Sequence, residues 1–152
     1  MTAQPSKAER PATYEDANLL LRLYELRREE KLRKAREWFS KNFHVSNLEE
    51  LQKLCPPGSE ENAYVRMVQT YWDMAASFVT NGILHRELFM ENSRELLFVW
   101  ERIRDVVPAW REAFKNPKIA SNLEAVANVM IEEEKRRGSY DAFRNMVRGI
   151  RA

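Results

Sequence analysis

The sequence predicts an all-α protein: a single-domain, antiparallel helical bundle of about six to eight helices. Apolar residues recur every three to four positions along most of the chain, which is the period of a helix with one buried face. Cap residues, prolines and glycines punctuate this pattern where helices should begin or end. No segment shows the sustained two-residue alternation of a half-buried strand.

The domain is predicted to occupy residues 13–152, preceded by a flexible lead-in at 1–12 that contains Pro5 and Pro11. A chain of 152 residues fits one domain. Its apolar fraction of 44%, with seven Phe, five Tyr and four Trp, is enough for a hydrophobic core without a metal or disulfide.

The first predicted helix is long, from about Tyr14 to Ser40. Thr13 and Asp16 have the spacing of a capping box at its start. The first half is apolar on more than one face, whereas the second half keeps one apolar stripe and is otherwise charged. We expect a helix that is buried at one end and projects toward solvent or a partner at the other.

Two more helices are predicted before the middle of the chain. Ser46 and Glu49 form a capping box for a short helix, Asn47 to Leu54. Ser59 caps the next, Glu60 to about Thr80, which is apolar around nearly its whole circumference. A helix of that kind belongs at the centre of the core.

Cap and breaker residues divide the remainder of the chain. Pro108 either kinks a helix or begins a new one as its first residue. The predicted segments are a short helix at Ile83–Met90, a helix at Arg94–Val107, a segment through Trp110 and Phe114, a helix from about Ile119 to Gly138, and a last helix after Ser139 with apolar residues Tyr140, Phe143, Val147 and Ile150.

Three segments resemble a bacterial family of small helical proteins of unknown function: ANLLLRLYELRREEKLRKAREWF, NAYVRMVQTYWDMAAS and ELLFVWERI. The resemblance spans roughly residues 14–130. It implies a helical fold and a bacterial cytoplasmic setting. It implies no catalytic residue, because none of these stretches is a motif with assigned chemistry.

Signatures of common catalytic and metal sites are missing from the sequence. It contains no Gly-rich phosphate loop, no dinucleotide-binding glycine cluster and no Gly-x-Ser-x-Gly elbow. One Cys and two His exclude the common Cys/His zinc site within one chain, and neither His44 nor His85 follows a Glu at the di-iron offset. We therefore expect no metal and no cofactor, and the pattern favours a non-enzymatic protein.

Polar side chains form a strip on each of two helices. Arg66 and Asp73 recur at helical spacing on the predicted central helix, and Arg22 lies on the first. If the strips face each other, Arg22 and Asp73 could pair, with Tyr71 and His85 nearby, around a pocket for an anionic or amide-bearing small ligand. Alternatively, the strips face solvent or the charges form a structural ion pair.

The number of aromatic residues suggests an interaction surface. Phe89, Met90, Phe98 and Trp110 are candidates for an apolar patch left over from the core. Together with the partly charged first helix, they favour a helical module that binds another protein, most simply a second copy of itself.

A nucleic-acid-binding module is the remaining alternative. Counterion displacement requires cations clustered on one face, whereas here glutamates are interleaved with them. The basic residues in question are Arg27, Arg28, Lys31, Arg33, Lys34 and Arg36 near the start and Lys135, Arg136, Arg137, Arg144, Arg148 and Arg151 near the end.

We expect a cytoplasmic protein without a membrane span. Cys55 is the single cysteine, so an intramolecular disulfide is excluded. The amino terminus lacks the apolar region of a signal peptide. The stretch from Met67 to His85 has one charge, at Asp73, but it is too polar and too interrupted to cross a bilayer.

Overall fold

A computed structural model describes residues 10–149, and within them the chain forms nine α-helices and no strand. The all-α class is confirmed, with more helices than the six to eight expected. Most of the predicted lead-in, together with Ile150 and Arg151, lies outside the described residues. The helices are α1 (Tyr14–Arg27), α2 (Glu30–Asn42), α3 (Leu48–Leu54), α4 (Glu60–Thr80), α5 (Arg86–Asn92), α6 (Arg94–Ile103), α7 (Val107–Ala113), α8 (Ser121–Arg137) and α9 (Tyr140–Gly149).

Helix α4 is the central helix, as predicted. It packs most extensively against α8 and α2, and its buried residues include Trp72, Ala75 and Ala76. The predicted cap at its start is confirmed: the Ser59 hydroxyl accepts the backbone N–H of Asn62 at 3.1 Å.

The single long first helix predicted from Tyr14 to Ser40 is wrong, because the chain breaks between α1 and α2. Glu29 leaves the helical conformation (φ −56°, ψ 140°), and its carboxylate accepts the backbone N–H groups of Lys31 at 3.1 Å and Leu32 at 3.0 Å. These two bonds lower the pKa of Glu29. Glutamate is not among the favoured N-cap residues, and the apolar period gives no sign of a stop there, so the sequence concealed this break.

Helix α1 lies on the surface of the bundle. Its predicted capping box between Thr13 and Asp16 is confirmed, but Asp16 and Leu23 are its only buried residues. The Tyr71 hydroxyl of α4 donates to the backbone carbonyl of Leu23. The guanidinium of Arg27 lies 5.1 Å from the ring centre of Trp72. These contacts fix α1 against α4 without burying most of its apolar side chains.

Asp73 joins the central helix to the start of α8. The residue before α8, Ala120, has a left-handed conformation (φ 57°) and supplies no side-chain cap. Instead, one carboxylate oxygen of Asp73 accepts the backbone N–H groups of Asn122 at 3.1 Å and Leu123 at 3.0 Å. A carboxylate at this position also interacts favourably with the positive end of the helix dipole.

The short helix α3 begins with a different cap from the one predicted. Asn47 accepts the backbone N–H of Glu50 at 2.9 Å, and the Glu50 carboxylate accepts the backbone N–H of Ser46 at 3.0 Å. The predicted box between Ser46 and Glu49 is therefore displaced by one residue. Asn and Ser are comparably good caps, so adjacent candidates are not separated by sequence alone.

Pro108 begins a new helix and does not kink an old one. The preceding helix, α6, ends at Ile103, short of the predicted Val107. Pro108 then occupies the first turn of α7. Backbone N–H groups have no intrahelical acceptor in that turn, so the absence of an N–H in proline costs no hydrogen bond.

Substituting Asp73 with alanine should lower the free energy of unfolding by about 1 kcal/mol, because two backbone N–H groups lose their acceptor. Asp73→Asn keeps an acceptor oxygen and should lose less. Urea denaturation of both variants measures the difference. Equal stability of Asp73→Ala and wild type would contradict the capping role.

Candidate functional site

The predicted pair between Arg22 and Asp73 does not form. Asp73 is directed to the first turn of α8, where it caps two backbone N–H groups. Arg22 is exposed on α1. The cause is the break after α1: α2, not α1, packs extensively against α4. The two polar strips therefore do not enclose a pocket together.

The other three residues of the predicted pocket have separate structural roles. Arg66 is exposed, and its Nε donates to Asn62 one turn earlier on α4, at 3.0 Å. Burial raises the pKa of Tyr71 to about 12, and its hydroxyl donates to a carbonyl of α1. His85 is buried at the start of α5. Only Tyr71 and Asp73 share an element with Arg66, and they bond to different neighbours.

The predicted interface patch is mostly core. Phe89 and Met90 are buried, with exposed fractions of 1% and 7%. Phe98 is half-buried beneath the Arg102 guanidinium, which lies 4.6 Å from its ring centre, and Trp110 is half-buried against the core. These four side chains do not present a continuous exposed surface, because Phe89 and Met90 are buried and the other two are half-buried.

An exposed apolar stripe is found on α1 instead. It comprises Tyr14, Ala17, Leu21 and Tyr24, at spacings of three, four and three, so all four lie along one side of the helix. Ala17 is partly buried, and the three larger side chains are exposed. Tyr14, Leu21 and Tyr24 are 78%, 59% and 48% exposed. This spacing was present in the sequence, but it could not be separated from the core face, because α1 is apolar on several sides.

A buried polar cluster fixes the start of α1 to the start of α5. Asp16 is 2% exposed. Its carboxylate accepts hydrogen bonds from both terminal nitrogens of Arg10, at 2.7 and 2.8 Å, and from the backbone N–H of His85, at 2.9 Å. The Nδ1 of His85 accepts the backbone N–H of Leu88 at 3.1 Å, so its Nε2 carries the proton and donates to the Arg10 carbonyl at 2.7 Å. Hydrogen bonds from Arg10 hold the pKa of Asp16 far below its usual range.

Four of the basic residues named above lie within 4 Å of a carboxylate: Arg36, Lys135, Arg137 and Arg148. Arg36 bonds Glu95 through two nitrogens, at 2.8 and 3.0 Å. Arg148 lies 3.8 Å from Asp105. Such pairing interrupts the single-sign surface that phosphate binding needs. Nucleic-acid binding stays an untested alternative.

Three further features bear on the chemistry of the chain. Burial, with a smaller contribution from Glu61, raises the pKa of Cys55 to about 11, so its thiol stays protonated near neutral pH. Residues 10–149 contain no group of three or more His, Cys, Asp or Glu side chains suited to a metal ion. None of the helices in that range combines the length and hydropathy needed to span a bilayer.

Residues 12–130 match the family model described as a domain of unknown function, DUF4760. The chain belongs to this family. No curated protein and no solved structure matches it. The DUF4760 match covers α1 to α7 and the first part of α8, and so includes the apolar stripe. Of the buried cluster between α1 and α5, it includes Asp16 and His85 but not Arg10. It assigns no function, and α9 lies beyond it.

The Asp16 cluster predicts how stability depends on pH. Because the pKa of folded Asp16 is below its unfolded value, the stabilisation is complete above about pH 4 and decreases as pH falls further. Asp16→Asn should unfold more easily by about 2 kcal/mol at pH 7, since the buried carboxylate that accepts from Arg10 and from the His85 backbone loses its charge. Below pH 4 the difference from wild type should shrink.

Urea denaturation between pH 7 and pH 2.5 tests this prediction, with the exposed Asp141→Asn as the matched control. A constant stability difference between wild type and Asp16→Asn across this range would contradict the assignment.

Proposed function

We propose that this chain is a helical interaction module that pairs with a second copy of itself through the α1 stripe of Tyr14, Ala17, Leu21 and Tyr24. The observation that carries the proposal is the exposure of this stripe on a helix fixed in place. Four of the eight exposed large apolar side chains within residues 10–149 belong to α1. Exposed apolar residues grouped along one helix mark interaction surfaces.

The order of residues in the stripe supports self-association. An interface between two identical copies related by a two-fold axis must be complementary to itself. If two α1 helices lie antiparallel, Tyr14 of each copy faces Tyr24 of the other, and Leu21 faces the small Ala17. Large and small side chains then alternate across the contact, as close packing of helices requires.

The size of the stripe points to a weak dimer. A helix of 14 residues is about 21 Å long at 1.5 Å per residue. A contact of that length covers less than the roughly 800 Å² per partner of a standard stable interface. We therefore propose a dimer that forms at high local concentration.

We further propose that the protein acts in a bacterial cytoplasm, because its single cysteine, Cys55, is buried and protonated and has no need of a disulfide partner.

Sedimentation velocity tests the proposal, with wild-type chain expected to shift with concentration toward twice its 18.0 kDa mass. Leu21→Glu places a charge in the stripe and should weaken association by about tenfold or more, since burying an unpaired charge costs well over 1.4 kcal/mol. Leu26→Glu is the matched control: Leu26 is also exposed on α1 (45%) but lies off the stripe.

Circular dichroism of both variants should match wild type, because the substituted side chains are exposed. A strict monomer at all concentrations would overturn the proposal. Equal weakening by Leu21→Glu and Leu26→Glu would also overturn the stripe as the contact surface.

A further inference from the structure

A second candidate site lies on a different part of the molecule, where the end of α4 meets the start of α5 and the middle of α8. A cleft of about 340 Å³ opens there, lined by Val79, Leu84, Val126, Val129, Ala125 and Arg86, among others. This volume is at the lower end of the range for small-molecule sites. The cleft is distinct from the α1 stripe.

The floor of the cleft is apolar. Val79, Leu84 and Val126 are core residues with little exposure, and Val129 packs against them. Gly82, with a left-handed conformation (φ 74°), turns the chain between α4 and Leu84 and so shapes one edge. A preformed wall of branched aliphatic side chains suits a small hydrocarbon group.

Arg86 supplies the cleft with a loosely paired positive charge. Its Nε is shielded from solvent and has no hydrogen-bond partner among the residues described. Its closest carboxylate oxygen, on Glu87, lies 3.6 Å away, and both side chains are partly exposed. Arg10, also at the cleft, differs because its guanidinium is bonded to Asp16 through two nitrogens. Because this nitrogen is shielded, a ligand in the cleft would meet the partly exposed remainder of the Arg86 guanidinium.

We propose that this cleft binds a small monocarboxylate with a branched apolar body. The guanidinium of Arg86 receives the carboxylate, whose two oxygens match the planar fork of N–H donors. The apolar body lies against Val79, Val126 and Val129. One loosely paired cation matches a single negative charge, and a dianionic phosphate would find too few donors among these aliphatic walls.

Titration of the full chain with isocaproate, followed by ¹H–¹⁵N and methyl NMR, tests the proposal. Saturable shifts are expected at the Arg86 Nε–H and at the methyl groups of Val126 and Val129. Arg86→Gln should weaken binding by about tenfold or more, as expected when a hydrogen bond to a charged group is lost. Arg66→Gln, an exposed arginine on α4, is the matched control and should bind as wild type does.

Two further probes separate the contribution of the carboxylate charge from that of the apolar body, and one variant tests whether the ligand occupies the cleft. Isocaproamide, which lacks the charge, and acetate, which lacks the apolar body, should each bind at least about tenfold more weakly than isocaproate. Ala125→Phe, at an exposed position of the lining, should fill the cleft and prevent binding without unfolding the chain.

No saturable shifts up to about 10 mM isocaproate would overturn the proposal, since weaker contacts are not specific. Unchanged affinity of Arg86→Gln, or equal affinity for acetate, would overturn it as well. Leu21→Glu should bind isocaproate as wild type does, so the outcome is independent of self-association.

Discussion

The burial of α4 is the constraint on which the rest of the structure depends. Apolar side chains cover most of its circumference, so neighbouring helices must enclose it, chiefly α2 and α8. Two of its less exposed polar side chains bond to neighbouring helices. Tyr71 holds α1 through a backbone carbonyl, and Asp73 caps α8. One helix therefore supplies both the core and two of the attachments that position other elements.

Helix α1 is attached in a different way from the helices around the core. Polar contacts fix it at both ends: the Asp16 cluster near its start and the Tyr71 bond to Leu23 near its end. Because these contacts need little apolar burial, Leu21 and most of the stripe around it remain exposed. A surface that is apolar and already ordered loses little conformational freedom when it binds, which is the property that a docking helix needs.

Buried charged groups likewise position α9, beyond the end of the family match. Glu101 accepts hydrogen bonds from Arg104 at 2.9 Å and from the Tyr140 hydroxyl, and burial together with this bond raises the pKa of Tyr140. Arg102 donates to the carbonyl of Val147 at 3.1 Å. Breaking one member of such a network leaves an uncompensated buried charge, so these contacts specify where α9 lies more than they add net stability.

Local sequence was sufficient to predict the all-α class, the position of α4 and the caps at Thr13 and Ser59, because helical periods and cap bonds involve residues three or four positions apart. The same information failed wherever a bond joins distant residues. The carboxylate of Asp73 bonds to a backbone N–H 49 positions along the chain, and no pattern within one helix predicts that partner. Nor could the pattern separate Phe89 and Met90, which are buried, from Leu21, which is exposed. Periodicity identifies apolar faces, but only the packing of helices against one another determines which of those faces are covered.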